Sequence, residues 1–165
     1  MEALAAVSLA GNVVQFISFA SSLVSNTVEI RNSTSGCTDA VMTLETVYGK
    51  LSQLSVDLQV ASESELSVAP QLSKYVIRIK ELSEESKGYC DKLLGVVDKL
   101  RNDKGSTTPW QNTKVAFKTL WKAGRISDLE EALRRVQRLL TLEICALTRY
   151  DSTVHVGNDR VANQF

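Results

Sequence analysis

Turn-forming residues are scarce in this chain, with two prolines and eight glycines among 165 residues. An all-β or α/β protein of that length needs many more, so long uninterrupted segments are expected and helices are the economical reading. Histidine occurs once, at His155, in a polar stretch near the end. A Ser-His-Asp or Cys-His arrangement would have to use it with nothing to hold it in place. A Walker-type glycine loop and a glycine-rich dinucleotide turn are both missing. The cysteines, Cys37, Cys90 and Cys145, stand more than fifty residues apart and are odd in number. That spacing excludes paired metal ligands, and an odd count argues against a disulfide framework. Each falls in a periodic segment, where a cysteine reads as a small buried hydrophobe, and a reducing intracellular compartment follows. The sequon Asn32-Ser33-Thr34 would matter only in a secreted protein.

Charge of either sign is not in excess. Lysine plus arginine and aspartate plus glutamate number 19 each, giving a formal net charge of zero. A general nucleic-acid binder would carry a basic surplus, so nucleic acid is not an expected partner. Zero net charge also removes long-range self-repulsion and permits self-association. The acidic pairs Glu84-Glu85 and Glu130-Glu131 are adjacent in sequence and point to different helix faces, which suits a solvated surface and not a catalytic dyad. No enzyme activity, cofactor, metal or small-molecule substrate is expected.

The chain does have a globular composition, 44% hydrophobic and 23% charged, in a length that suits one domain. Its N-terminus is unusual. No charged residue occurs between Glu2 and Glu29, in the stretch ALAAVSLAGNVVQFISFASSLVSNTV. A signal peptide would want a basic start and an unbroken apolar core, whereas Glu2 opens this one and Ser8, Asn12, Gln15 and Ser18 interrupt it. A transmembrane helix wants roughly 20 mostly apolar residues, and nine Ser, Thr, Asn or Gln side chains make insertion marginal. The third reading is a helix packed inside a bundle, with Leu4, Val7, Gly11, Val14, Ile17 (or Ser18), Ser21 and Val24 (or Ser25) as its stripe. Leu9, Val13, Phe16, Ala20 and Leu23 widen that stripe. Burial at rest and insertion after release are compatible, so Leu4, Val7, Leu9, Val13, Val14, Phe16, Ile17, Phe19, Leu23 and Val24 form a candidate membrane-inserting segment.

The remaining chain reads as helices. Thr38 or Asp39 can cap one carrying Val41, Leu44, Val47 (or Tyr48), Leu51, Leu54 and Leu58, a narrow bundle seam. Pro70 suits a first helical position. From it Leu72, Val76, Ile79, Leu82, Ser86, Tyr89, Leu93, Val96 (or Val97) and Leu100 carry a long helix, in which Gly88 and Gly95 are tolerated or mark a bend. Lys99, Arg101 and Lys104 suit the negative end of its dipole. After the loop 102–109, Asn112 or Thr113 starts a short helix that Gly124 ends. Ser127-Asp128-Leu129-Glu130 is a capping box for a final helix carrying Leu129, Leu133, Val136, Leu140 and Leu147, widened by Ala132, Leu139, Ile144 and Ala146. That helix is expected to reach Thr148 or Arg149, followed by a polar tail, frayed or serving as a linker. The expected organisation is an all-α bundle of four long helices plus one short helix over 1–150, with a tail or linker at 151–165.

On the short helix, Lys114, Lys118 and Lys122 follow i, i+4 spacing with Arg125 beyond, while Phe117 and Trp121 share another face and Trp110 precedes them. Basic and aromatic faces together suit an anionic membrane surface, with Trp110, Lys114, Lys118, Trp121, Lys122 and Arg125 as its residues. The plainer reading is a helix whose aromatics plug the bundle and whose lysines are wet. Arg134, Arg135 and Arg138 form a second basic cluster, where Glu130 and Glu131 stand four residues before Arg134 and Arg135 and suit local ion pairs.

The opening EALAAVSLAGNVVQFISFASSLV with its following amphipathic helix, and the stretch VAFKTLWKAGRISDLEEALRRVQRLLTLEICAL, resemble the N-terminal domains of fungal STAND receptors. These are the HeLo-like and related families that precede NACHT and ankyrin-repeat regions. The resemblance covers about residues 1–150 as a pattern of helices. It implies an effector or signalling domain that oligomerises on activation, with itself or a partner helical domain. In some members the N-terminal helix permeabilises membranes, a role that falls here on Leu4 to Val24. A cytoplasmic location at rest, moving to the plasma membrane on activation, is the matching expectation. A non-lytic adaptor or homotypic oligomerisation module is the alternative.

Overall fold

The computed structural model describes residues 2–25, 42–63 and 70–162. Five helices account for nearly all of them: α1 (Glu2–Val24), α2 (Leu44–Glu63), α3 (Pro70–Lys104), α4 (Trp110–Trp121) and α5 (Ala123–Ala162). Among the described residues there is no strand, only one isolated bridge between Thr43 and Pro109. The chain is therefore an all-α bundle of four long helices and one short one.

The seam of α2 is as expected. Leu44, Val47, Leu51, Leu54 and Leu58, spaced three and four apart, are all buried, which sets one edge of the helix continuously against its neighbours. The face of α3 follows with Val76, Ile79, Leu82, Ser86, Leu93, Val97 and Leu100 buried; Cys90 takes the inward place beside a half-buried Tyr89. Gly88 and Gly95 lie on exposed positions and interrupt nothing. Gly105 stops α3 at φ 88°, with its amide donating to the Arg101 carbonyl at 2.9 Å. Glycine is favoured there because a side chain disfavours that left-handed backbone.

Several expectations are corrected. Helix α4 begins at Trp110, directly after Pro109, and not at Asn112 or Thr113. The cap of α2 is Thr43, whose hydroxyl accepts the Thr46 amide at 3.2 Å. The next orphan donors, the Leu44 and Glu45 amides, reach the Thr108 and Ser106 carbonyls at 3.0 and 2.9 Å. The loop after α3 thus caps the start of α2 through its backbone. Thr38, Asp39, Val41, Cys37 and the sequon lie outside the described residues. The break between α4 and α5 falls at Lys122 (φ 57°, ψ 127°) and not at Gly124. Its amide donates to Thr119 and its carbonyl accepts from Arg125, at 3.3 and 3.0 Å. Helix α5 has therefore already begun when Ser127 and Glu130 are reached, so neither is needed as a cap. At its far end α5 continues to Ala162 instead of stopping at Thr148 or Arg149. No proline follows Pro109; loss of apolar periodicity after Tyr150 removes a reason to pack, not the capacity to be helical.

Helix α1 turns a different face inward from the one expected. Its buried face is Ala6, Leu9, Ala10, Val13, Phe16, Ile17, Ala20, Leu23 and Val24, while Val7 and Val14 are 44% and 48% exposed and Ser21 is outside. The set expected only to widen the stripe is the centre of it. Volume decides: Phe16 and Leu23 remove more apolar surface from water than Val7 and Val14 can.

Helix α1 packs against α2, α3 and α5, α3 also meets α2, α4 and α5, and α4 lies across α3 and α5. Polar clamps fix the α2–α3 pair. Asp91 accepts from Ser55 at 2.6 Å and pairs with Lys87 at 2.7 Å. Burial acts to raise the Asp91 carboxyl, but these hydrogen bonds and the lysine charge outweigh it and hold the group below its ordinary value. Ser83 donates to the Leu58 carbonyl at 3.2 Å and Ser86 to its own helix at the Leu82 carbonyl, 2.7 Å, so both buried hydroxyls are satisfied. Arg101 pairs with Glu45 and Asp98 and lies 3.8 Å from the Tyr48 ring centroid.

Truncating Leu51, which is 0% exposed, should cost about 2–5 kcal/mol through lost burial and the residual cavity. Chemical denaturation of Leu51→Ala checks this; a loss under about 1 kcal/mol would mean that the seam is not packed as described.

Candidate functional site

The first candidate site is α1 itself. Among the described residues it holds the one helix long and apolar enough to cross a membrane, Ala6–Val24, and less than half of that window is buried. Of the candidate inserting residues, Leu9, Val13, Phe16, Ile17, Leu23 and Val24 face the core and Phe19 is half-buried. Val7 and Val14 face outward, while the Leu4 side chain lies outside the described residues. The outer face is polar but uncharged, with Ser8, Gln15, Ser18 and Ser21 exposed. Part of that polarity is satisfied locally: the Ser22 hydroxyl donates to the Ser18 carbonyl at 2.9 Å, inside the helix. Asn12 donates to the Asp57 carbonyl of α2 at 3.3 Å and fastens α1 to the bundle.

The second candidate, the basic-aromatic helix α4, is divided by the fold. Trp110, Thr113, Phe117 and Trp121 recur on one side and are buried. The Trp110 and Phe117 rings meet edge to face at 5.0 Å, and Phe117 stacks on Trp121 at 6.1 Å. Such aromatic pairs add to the burial energy. Lys118, Lys122 and Arg125 are exposed and Lys114 is half-buried. A cationic surface is therefore present, but both tryptophans proposed for lipid contact point inward. They could reach a membrane only if α4 left its seat.

The second basic cluster, Arg134, Arg135 and Arg138, resolves differently from its sequence pattern. Arg135 turns away from Glu131 to pair with Glu85 of α3. Among the described residues neither local pair, Glu130–Arg134 nor Glu131–Arg135, forms. Helix spacing reveals which charges can meet on one helix; it carries no information about a partner fifty residues away. Of the cysteines, Cys90 is buried with its thiol donating to the Leu51 carbonyl at 3.3 Å, while Cys145 is exposed, against expectation. Burial, and secondarily the Asp91 charge, push the Cys90 thiol up to about 12. Among the described residues no group of His, Cys, Asp and Glu could hold a metal ion.

Compared with known protein families, curated proteins and solved structures, the chain matches none.

The thiols give a direct check of the packing. Brief alkylation of the folded protein, followed by peptide mapping, should label Cys145 and leave Cys90 unmodified at pH 8. Because the Cys90 group is raised when folded, unfolding should release thiolate above the ordinary value of 9.0. Its contribution to stability is thus present below that pH and lost as pH rises toward 12. Equal labelling of Cys90 and Cys145 in the native state would contradict the burial.

Proposed function

We propose that this bundle is the N-terminal effector and signalling domain of a fungal NLR-like (STAND) receptor. In this reading it oligomerises on activation and directs its first helix to a membrane, causing regulated cell death. The observation that carries it is the helical segment Ala6–Val24, which has no charged side chain, is long enough to cross a bilayer and is sheltered by three neighbours. The resemblance described above supports the same reading.

The energetics say what such a mechanism requires. Each large apolar side chain returned to water costs roughly 1.5–3 kcal/mol. Leu9, Val13, Phe16, Ile17, Leu23 and Val24 together would therefore lose about as much as the 5–15 kcal/mol that holds a whole domain folded. Helix α1 cannot leave into water. It can leave into an apolar phase, where the same side chains stay dehydrated, or into an assembly that covers them. The cations on α4 would bring the domain to an anionic surface, from the cytoplasm to the plasma membrane.

Leakage of dye from anionic liposomes tests the proposal. Ile17→Lys is a poor probe because Ile17 is 5% exposed and the charge would disrupt the bundle. Val14→Lys is the better one, since Val14 is 48% exposed and a lysine there stays wet in the resting fold. In a bilayer that lysine sits near the middle of the segment and costs about 2.5–3.5 kcal/mol. The wild type should release dye, and Val14→Lys should do so at least about tenfold less efficiently with unchanged helicity. No leakage at any protein concentration, or equal leakage by the variant, would remove the membrane role.

A non-lytic interaction module is the second reading, favoured by the apolar residues exposed on α2 and α5. Val56 and Val60 are 55% and 63% exposed, and Leu139 and Leu142 41% and 65%. Exposed apolar groups in this number suit a contact with another helical surface. Sedimentation should then show concentration-dependent association that Leu142→Glu abolishes. A strict monomer from which no partner is recovered would count against it.

A further inference from the structure

A cavity of about 570 Å³ lies where α3, α4 and the first turns of α5 meet. That volume is within the roughly 300–1,000 Å³ of small-molecule pockets. Its apolar wall includes Val96, Leu120, Trp121 and Leu129, and its charged lining includes Lys92, Lys99 and Arg125 with Asp91 and Asp128. Asp91 is already engaged by Ser55 and Lys87, which leaves Asp128 alone against the three cations. Lys92 holds its ammonium 5.2 Å from the Tyr89 ring centroid. Among the described residues Lys99 and Arg125 have no ion-pair partner.

Two further residues belong to the lining. Trp121 is 7% exposed, yet its indole N–H is buried with no acceptor. Gly95 also lines the cavity, at an exposed place where an added Cβ would meet nothing within 4 Å.

We propose that this cavity binds a small amphiphilic anion. An acyl or alkyl body would lie along Val96, Leu120 and Leu129, and one carboxylate or phosphate head would be held by Lys99 and Arg125. Arginine suits either head, because its planar fork can donate two parallel hydrogen bonds to it. The ligand is bound and not turned over. This inference is independent of the proposed receptor and membrane roles, since the site is far in sequence from α1 and uses none of its residues.

The full chain has two tryptophans, so its two indole N–H resonances report the site directly, and Trp110→Phe assigns them. Decanoate should shift the Trp121 resonance saturably while that of Trp110 moves less. Decanol, which lacks the charge, and inorganic phosphate, which lacks the body, should each bind at least about tenfold more weakly. Decyl phosphate against decanoate identifies the preferred head. Gly95→Phe should fill the cavity and abolish binding with helicity retained. Lys99→Ala with Arg125→Ala should weaken decanoate by about tenfold or more and leave decanol unchanged, which keeps the test decisive should Gly95→Phe fold poorly. A linear, unsaturated response up to about 1 mM, equal affinity for decanol, or undiminished binding in a folded Gly95→Phe would overturn the proposal.

Discussion

A helix with no charged side chain along most of its length has to be kept from water, and the arrangement of the other elements follows from that constraint. Three helices surround α1, and each offers it an apolar edge: the leucine seam of α2, the mixed face of α3 and the Leu129-to-Leu147 stripe of α5. Because the buried side of α1 alternates large groups such as Phe16 and Leu23 with Ala6, Ala10 and Ala20, its neighbours can approach closely where the alanines are. Packing of that kind is sensitive to volume, since protein interiors have little spare space. The outward side is limited to serine, glutamine and valine, which neither attract ions nor resist transfer as strongly as charge would.

Hydrogen bonding sets the register of the shell around that helix. Between α2 and α3 the contacts repeat along the whole interface, from Arg101 on Glu45 through Cys90 on Leu51 to Ser83 on Leu58. Most bring a side chain of α3 to α2, so sliding either helix by one turn would break several together. The segment from Gly105 to Pro109 performs a second task, because its carbonyls receive the first amides of α2 while the Trp110 amide donates to Met42 at 2.7 Å. One loop thus ties the end of α3, the start of α2 and the entry to α4.

Much of this was legible in the chain. Scarce proline and glycine imply helices, and the three-four spacing from Leu44 to Leu58 names the inner edge of α2 residue by residue. Pro70 marks a helix start for reasons local to its ring. Legibility fell where the deciding partner is distant or where a local mark is missing. No charge on α1 distinguishes its wet side from its dry one, so two apolar stripes competed and side-chain volume chose between them. The backbone caps on α2 come from a loop sixty residues later. Arg135 finds Glu85 and not its neighbour Glu131, and the space beside Gly95 exists only once α3, α4 and α5 are assembled. For the candidate site the chain showed which residues are basic and aromatic on α4, but not that the rings face inward and the cations outward.

Lys122 is the sole interruption between α4 and α5, and its positive φ costs on the order of 1–3 kcal/mol. Were that one residue to adopt helical angles, Trp110 to Ala162 would become a single rod, roughly 80 Å long at 1.5 Å per residue. Straightening would recover the strain but strip Trp110, Phe117 and Trp121 from the core, at about 3–5 kcal/mol for each ring lost. The kink is therefore held shut by aromatic burial against a spring of smaller size. Any contact that took over the burial of those three rings would tip the balance and let the junction extend.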